Sequence, residues 1–172
     1  GPVLIDMPMD VQCDSADVVI PDPMERKPYG RISPDPKAIE SAVSLLSRSK
    51  RPVILAGGGI ASSNAYKELL ELAELLGSAV VTTMMGKGVF PENHPLYGWH
   101  TGSKGTSCGN KLTSSADLIL AVGCRFADET TSSYKHGVSF AIPPTELIHI
   151  DIDENEIGKN YPCKVGIVAD AK

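Results

Sequence analysis

Three consecutive glycines, Gly57, Gly58 and Gly59, stand between an apolar run and a stretch of helical periodicity. Glycine tolerates φ > 0 and lets a ligand come close to the backbone. The unpaired amides at the start of a following helix favour an anion. Further along, Thr83 and Met84 follow a second apolar run, Gly123 and Arg125 a third, and Asp151 and Asp170 two later ones. Backbone donors and a fixed cation suit phosphate, and carboxylates suit ribose hydroxyls, so the combination reads as nucleotide chemistry. No nucleophile–base pair or carboxylate dyad stands beside it, so no catalytic residue is assigned. Lys87, Lys104 and His100 read as solvated loop residues rather than acid–base groups.

The spacing Gly57-x-Gly59-x-x-Ser62 carries two of the three glycines of the dinucleotide fingerprint. The next strand, Ala79–Thr82, is followed by Thr83, where a classical NAD fold wants an acidic residue for the adenine ribose. The alternative is that the glycines only turn the chain and let the helix pack on the sheet.

Elements must hold these residues together. Val53–Ala56 is a buried strand, the glycines a tight turn, and Asn64–Leu76 an amphipathic helix, the first half of a βαβ unit. Before it, Asp35 is an N-cap with Pro36 at the first helical position. Ile39, Val43 and Leu46 give that helix its apolar stripe, widened by Leu45. Thr83–Leu96, continued by Gly98–Thr106, is a loop too long for a mere connector. Ser107–Ser115 is a helix with Leu112 inward. Asp117–Gly123, Glu146–Asp151 and Val165–Val168 are strands. Apolar strands alternating with helices or long connectors imply an α/β fold with a doubly wound parallel sheet of about five or six strands. Val53–Ala56 and Leu118–Val122, the most apolar runs, belong near its centre. Ligands in such sheets bind beyond the carboxyl ends of the strands.

At the amino end, Val3–Asp6 reads as a short strand closed by Pro8. Gln12–Pro36 carries prolines at 21, 23, 28, 34 and 36 with no apolar period, a linker. The expected organisation is a tail of a preceding domain over 1–12, a Pro-rich linker over 13–35 and a nucleotide-binding-like domain over 36–172, a piece of a longer protein.

With 172 residues the chain can bury a substantial core. Apolar residues make up 42% and aromatics 5%, which suits a covered parallel sheet of Val, Ile, Leu and Ala. A net charge of −5 argues against a nucleic-acid partner. No apolar stretch approaches the roughly 20 residues that span a bilayer, so no membrane association is expected. Cys13, Cys108, Cys124 and Cys163 are widely spaced and read as free thiols of a cytoplasmic protein. The four histidines are scattered too, so no metal ligands are assigned.

Several stretches together resemble thiamine-diphosphate enzymes of the acetolactate (acetohydroxyacid) synthase group. Gly1–Val11 is similar to the end of their pyrimidine-binding domain, and Arg51–Gly59 to the start of their central domain. Thr82–Leu96 is the most specific match. Ala116–Phe126, Ile148–Asp153 and Glu156–Asn160 complete it in the family's order. The resemblance implies a Rossmann-like three-layer αβα central domain of an enzyme acting on 2-oxo acids, a carboligase or lyase. It implies thiamine diphosphate and Mg²⁺ in the full-length enzyme but not on this chain, which lacks the Gly-Asp-Gly and paired-asparagine motif. The activating glutamate would lie before Gly1. The partners implied are the pyrimidine-binding and diphosphate-binding domains of the same polypeptide, in a homo-oligomer. An FAD, or ADP, would rest on Gly57, Gly58, Gly59, Thr83, Met84, Gly123, Arg125, Asp151, Ile152, Asp170 and Ala171.

Two departures stand out. The family's flavin loop carries Gly-Met-His-Gly, and here Gly102-Ser103-Lys104-Gly105 stands in its place. The family's Asp-Asp-Arg after Gly-x-Arg-Phe is replaced by Ala127-Asp128-Glu129. Both point from a standard acetohydroxyacid synthase toward a relative: a carboligase, a decarboxylase, a sulfoacetaldehyde acetyltransferase-like enzyme or a cyclic-dione hydrolase. The competing readings are a stand-alone adenine-nucleotide-binding module and a structural domain with an empty crevice.

Overall fold

A computed structural model describes residues 3–20 and 30–172. The chain divides into two units, Gly1–Gly30 and Arg31–Lys172. In the first, α1 is the single turn Met9–Gln12. Val3–Asp6, expected as a strand, is not one. A strand is defined by its ladder partner, and these residues find none among the described residues. Their side chains are exposed. The expected linker prolines 21, 23 and 28 lie outside the described residues.

The second unit holds a six-stranded, wholly parallel sheet in the order β3-β2-β1-β4-β5-β6. The strands are β1 Pro52–Ala56, β2 Ala79–Thr82, β3 Tyr97–His100, β4 Leu118–Val122, β5 Glu146–Asp151 and β6 Val165–Val168. This is the doubly wound arrangement, with β1 and β4 central as expected and the direction of winding reversing between them. Pleating sends alternate side chains to opposite faces. Ile54, Ala56, Leu118, Leu120 and Ile148 meet one set of helices. Val53, Leu55, Ile119, Ala121 and Leu147 face Phe126, Phe140 and Ile142 on the other side. The result is three layers, both faces covered.

On the first face lie α2 Pro36–Arg48, α3 Gly58–Ser63 and α4 Tyr66–Leu76. α2 starts as expected: Pro36 is at N1 and the Asp35 carboxylate accepts from the Lys37 amide at 3.1 Å. Its buried face differs from the expected stripe. Ala42 and Leu45 are buried, with Ala38 and Leu46 against the core, while Ile39 and Val43 are exposed. Ala38, Ala42 and Leu45 have the same helical spacing, and the small alanines let α2 lie close to β6. Asn64–Leu76, expected as one helix, is also revised. α3 comes first and closes on Asn64 in the left-handed conformation, with the Ala65 amide donating to Ile60 O at 3.0 Å. α4 then buries Leu69 and Ala73.

β3 replaces part of the loop expected over Gly98–Thr106. It pairs with β2 through a register irregularity at the sheet edge. Gly98 makes this fit, because a Cβ there would stand 2.6 Å from the Leu112 side chain. On the second face, α5 is Ser107–Ser115 and α6 the single turn Asp128–Thr131. Leu112 packs inward as expected. At the amino-terminal end of the strands Asp117 gathers the entry to β1, accepting from Ser49 Oγ and from the amides of Lys50 (2.8 Å) and Arg51 (3.0 Å). Burial works against ionisation of this carboxyl, but the Ser49 hydroxyl and the two amides outweigh it and hold its pKa below the usual carboxylate value.

Candidate functional site

The opposite end of the sheet is open. The ladders run one step past the strands and then part. Gly57 N donates to Val122 O at 2.9 Å, Thr83 N to Ala56 O at 3.0 Å, and Gly123 N to Ile150 O at 2.8 Å. Beyond them lies a crevice of about 580 Å³, within the range of small-molecule sites. It stands over the β1/β4 junction, where doubly wound sheets place their ligands.

Its walls come from five places. Gly58, Gly59, Ser62 and Ser63 belong to α3, and Thr83 and Met85 follow β2. Gly123–Ala127 and Thr130 follow β4, Ile150–Ile152 close β5, and Ala169–Ala171 follow β6. Of the residues expected to hold a ligand, Gly58, Gly59, Thr83, Gly123, Arg125, Asp151, Ile152, Asp170 and Ala171 therefore stand on one wall or another. Gly57 does not. It packs behind the crevice, where a Cβ would lie 2.0 Å from Gly123 O. Met84 turns to a small neighbouring depression with Thr101, Lys104, Glu129 and Thr130. Ser62, Ser63, Met85, Phe126 and Thr130 were not anticipated. The two serines follow from helical spacing, one turn beyond Gly58 and Gly59. Phe126 shows in the sequence only as the last residue of the Gly-x-Arg-Phe stretch, and Thr130 carries no comparable signal.

The glycines serve the protein's own packing as well as a ligand's approach. Gly59 N donates to Gly123 O at 3.1 Å, and Gly123 has φ +59°. α3 has only six residues, so the long helix expected directly behind the glycine turn is not what points at the crevice.

The polar groups are distributed by sign. Arg125 is exposed and makes no ion pair among the described residues. Asp151 uses one oxygen, Oδ1, to accept from the Asp153 amide at 3.1 Å. Asp170 likewise uses Oδ1, toward the Lys172 amide at 2.9 Å and Arg31 Nη1 at 2.6 Å. The Lys172 amide first, and Arg31 after it, hold the Asp170 carboxyl below the usual carboxylate value. The second oxygen of each aspartate has no protein partner among the described residues. Cys124 also reaches the crevice, but burial pushes its thiol up to about 12, which leaves it unreactive. Behind it His149 is buried, accepting at Nδ1 from the Gly158 amide (3.4 Å) and donating from Nε2 to Cys124 O (2.8 Å). Burial holds this imidazole below its ordinary pKa.

The two segments that depart from the acetohydroxyacid synthase pattern touch each other. Ser103 N donates to Glu129 O at 2.7 Å, and Lys104 Nζ lies 3.2 Å from Glu129 Oε1. Lys87 pairs with Glu92, and His100 Nε2 lies 2.9 Å from Lys104 O, so the three residues set aside as acid–base candidates are engaged locally.

All four cysteines are unpaired thiols, as expected. Among the described residues no three His, Cys, Asp or Glu side chains converge as metal ligands, and no helix is long and apolar enough to cross a membrane. The donor set fits an adenine nucleotide: close backbone, one cation, two carboxylate oxygens free for hydroxyls. It does not fit a magnesium–diphosphate group, which needs a carboxylate-based metal site.

Comparison with known proteins shows the family of the chain. The family described as "Thiamine pyrophosphate enzyme, central domain" matches residues 39–172. A probable acetolactate synthase large subunit of Methanocaldococcus jannaschii is 45% identical over the whole of this chain, which covers 29% of that protein. The acetolactate synthase large subunit of Corynebacterium glutamicum is 40% identical, again over the whole chain and 27% of the relative. The chloroplastic acetolactate synthase 1 of Zea mays is 41% identical over the whole chain and 26% of the relative. The chain thus spans under a third of the length of these relatives, and it belongs to the family of thiamine pyrophosphate enzyme central domains, in its acetolactate synthase-like branch.

Proposed function

We propose that this chain is the nucleotide-holding central domain of a thiamine-diphosphate- and Mg²⁺-dependent, acetolactate synthase-like enzyme that acts on 2-oxo acids. In this reading residues 1–12 are the tail of the pyrimidine-binding domain and 13–35 a linker. The pyrimidine- and diphosphate-binding domains supply the metal, the thiamine cofactor and the activating glutamate. The assembly is a cytoplasmic homo-oligomer. Thiamine diphosphate would supply a stabilised carbanion when bound. This chain's contribution would be a nucleotide, FAD or ADP, and one wall of the space where the three domains meet. The names of the relatives cited favour an acetolactate synthase over the decarboxylase or hydrolase alternatives, despite the departures at 103–104 and 127–129.

The observation that carries the nucleotide reading is the arrangement of the crevice over the β1/β4 junction. Gly58, Gly59 and Gly123 expose backbone, Arg125 is unpaired among the described residues, and Asp151 and Asp170 each keep an oxygen without a protein partner. Thr83 stands where NAD binding wants an acid, so NAD is disfavoured. Equilibrium dialysis with FAD, ADP and NAD tests this. FAD or ADP should be retained and NAD not, and retention of NAD alone would refute the assignment. One observation favours the structural alternative: Gly57 and Gly59 are already required by contact with Gly123. Failure of all three nucleotides would decide for it.

A further inference from the structure

Arg31 lies outside the walls of the crevice but is bonded to two residues that form them. Its Nη1 donates to Ser63 O at 3.1 Å and to Asp170 Oδ1 at 2.6 Å. Ser63 ends α3 on the β1 side, and Asp170 follows β6 at the edge of the sheet. One guanidinium therefore bridges two walls that the sheet itself does not connect at this level. The Asp170 side chain is 16% exposed and that of Arg31 51%, so the carboxylate is the sheltered member of the pair.

The backbone is held separately. Asp170 N donates to Ile32 O at 3.0 Å, which already ties the segment before α2 to the end of β6. The guanidinium is not needed for that tie. What it adds is a choice between the carboxylate oxygens. Arg31 and the Lys172 amide both converge on Oδ1, leaving Oδ2 without a protein donor among the described residues. A carboxylate fixed in this way presents one acceptor in one direction and loses little freedom when a hydroxyl binds.

We infer that Arg31 is a positioning residue of the crevice: it clamps Oδ1 of Asp170 against the Ser63 carbonyl so that Oδ2 accepts a ribose hydroxyl of the bound nucleotide. This rests on the nucleotide reading above. Arg31 touches no ligand in this scheme and acts only through Asp170. Both bonds come from the one nitrogen Nη1, so the clamp needs a charged nitrogen with two donors at that place, which glutamine cannot supply.

The test uses the full chain, with ADP and 2′,3′-dideoxy-ADP as probes in equilibrium dialysis. Circular dichroism shows that each variant is folded. Arg31→Gln should weaken ADP about ten-fold, the scale of one charge-assisted hydrogen bond, and leave the dideoxy analogue unchanged. Arg31→Lys, which keeps a charged donor nitrogen, should lose less ADP affinity than Arg31→Gln. The double variant Arg31→Gln/Asp170→Asn should bind ADP no more weakly than Asp170→Asn alone. Unchanged ADP binding by Arg31→Gln overturns the clamp. Equal loss for ADP and its dideoxy analogue also overturns it, since Arg31 would then act on phosphate or on the fold. If the unaltered chain binds neither probe, the nucleotide reading itself fails and the clamp falls with it, a result distinct from the other two.

Discussion

Gly59 and Gly123 meet backbone to backbone: a Cβ on Gly123 would lie 2.5 Å from the Gly59 Cα, and one on Gly59 2.6 Å from the Gly123 Cα. Gly123 also has φ +59°. Gly123→Ala should therefore destabilise the chain by about 2–4 kcal/mol, combining overpacking with a left-handed backbone. Gly77→Ala has the same φ with nothing within 4 Å, and should cost only about 1 kcal/mol. Urea unfolding of both variants gives the comparison, and equal losses would show that the contact is unimportant.

His149 makes stability depend on pH. Its folded pKa lies below the unfolded value of about 6.5 because the ring is buried. Below that value the unfolded chain takes up the proton first, so the contribution is complete above pH 6.5 and is lost as pH falls toward the folded pKa. The urea midpoint should drop on acidification from pH 7, and His149→Gln should show a shallower drop. Parallel pH profiles would refute this.

The four thiols should differ in reactivity. Cys13 and Cys108 are exposed, whereas Cys124 is buried with its pKa pushed up to about 12. Iodoacetamide at pH 8 should label Cys13 and Cys108 readily and spare Cys124 until the chain unfolds. Mass mapping of the labelled peptides reads this directly, and early labelling of Cys124 would contradict the burial.

The Lys104–Glu129 pair is 68% and 64% exposed. Such pairs stabilise by a few tenths of a kcal/mol. Glu129→Ala should therefore shift thermal unfolding by less than about 0.5 kcal/mol. A loss above about 1 kcal/mol would mean that the two departing segments hold each other in place.

The chain alone should not release carbon dioxide from pyruvate, even with thiamine diphosphate and Mg²⁺ supplied. Its described residues offer no metal cluster to fix the cofactor, and without fixed reactants the rate gain from proximity is forfeited. Turnover that follows the purified protein would refute the division of labour proposed here.

What the sequence made legible was what repeats locally. Val53–Ala56, Leu118–Val122 and Glu146–Asp151 are continuous apolar strands, and two-sided burial demands that composition. Tyr97–His100 hid because an edge strand is buried on fewer sides, and because Gly98 is set by contact with Leu112 rather than by strand propensity. In α2 hydrophobicity alone points to Ile39 and Val43 beside Leu45 and Leu46, while close packing takes Ala42 and Ala38 in place of the first two. At the crevice, Asp151 and Asp170 were readable as strand-end residues. Arg31 was not, because its partners lie 32 and 139 positions away.

The knot at Asp117 and the pairing of β1 with β4 have a consequence for how the molecule comes apart. β1, β2 and β3 form one half of the sheet and β4, β5 and β6 the other, joined along a single seam. Yet Val53 and Leu55 from one half share a core with Ile119 and Ala121 from the other, and Asp117 holds the chain that enters β1. Neither half can keep its interior dry alone. Melting one should expose the other, so the halves of this unit unfold as one cooperative body rather than in succession.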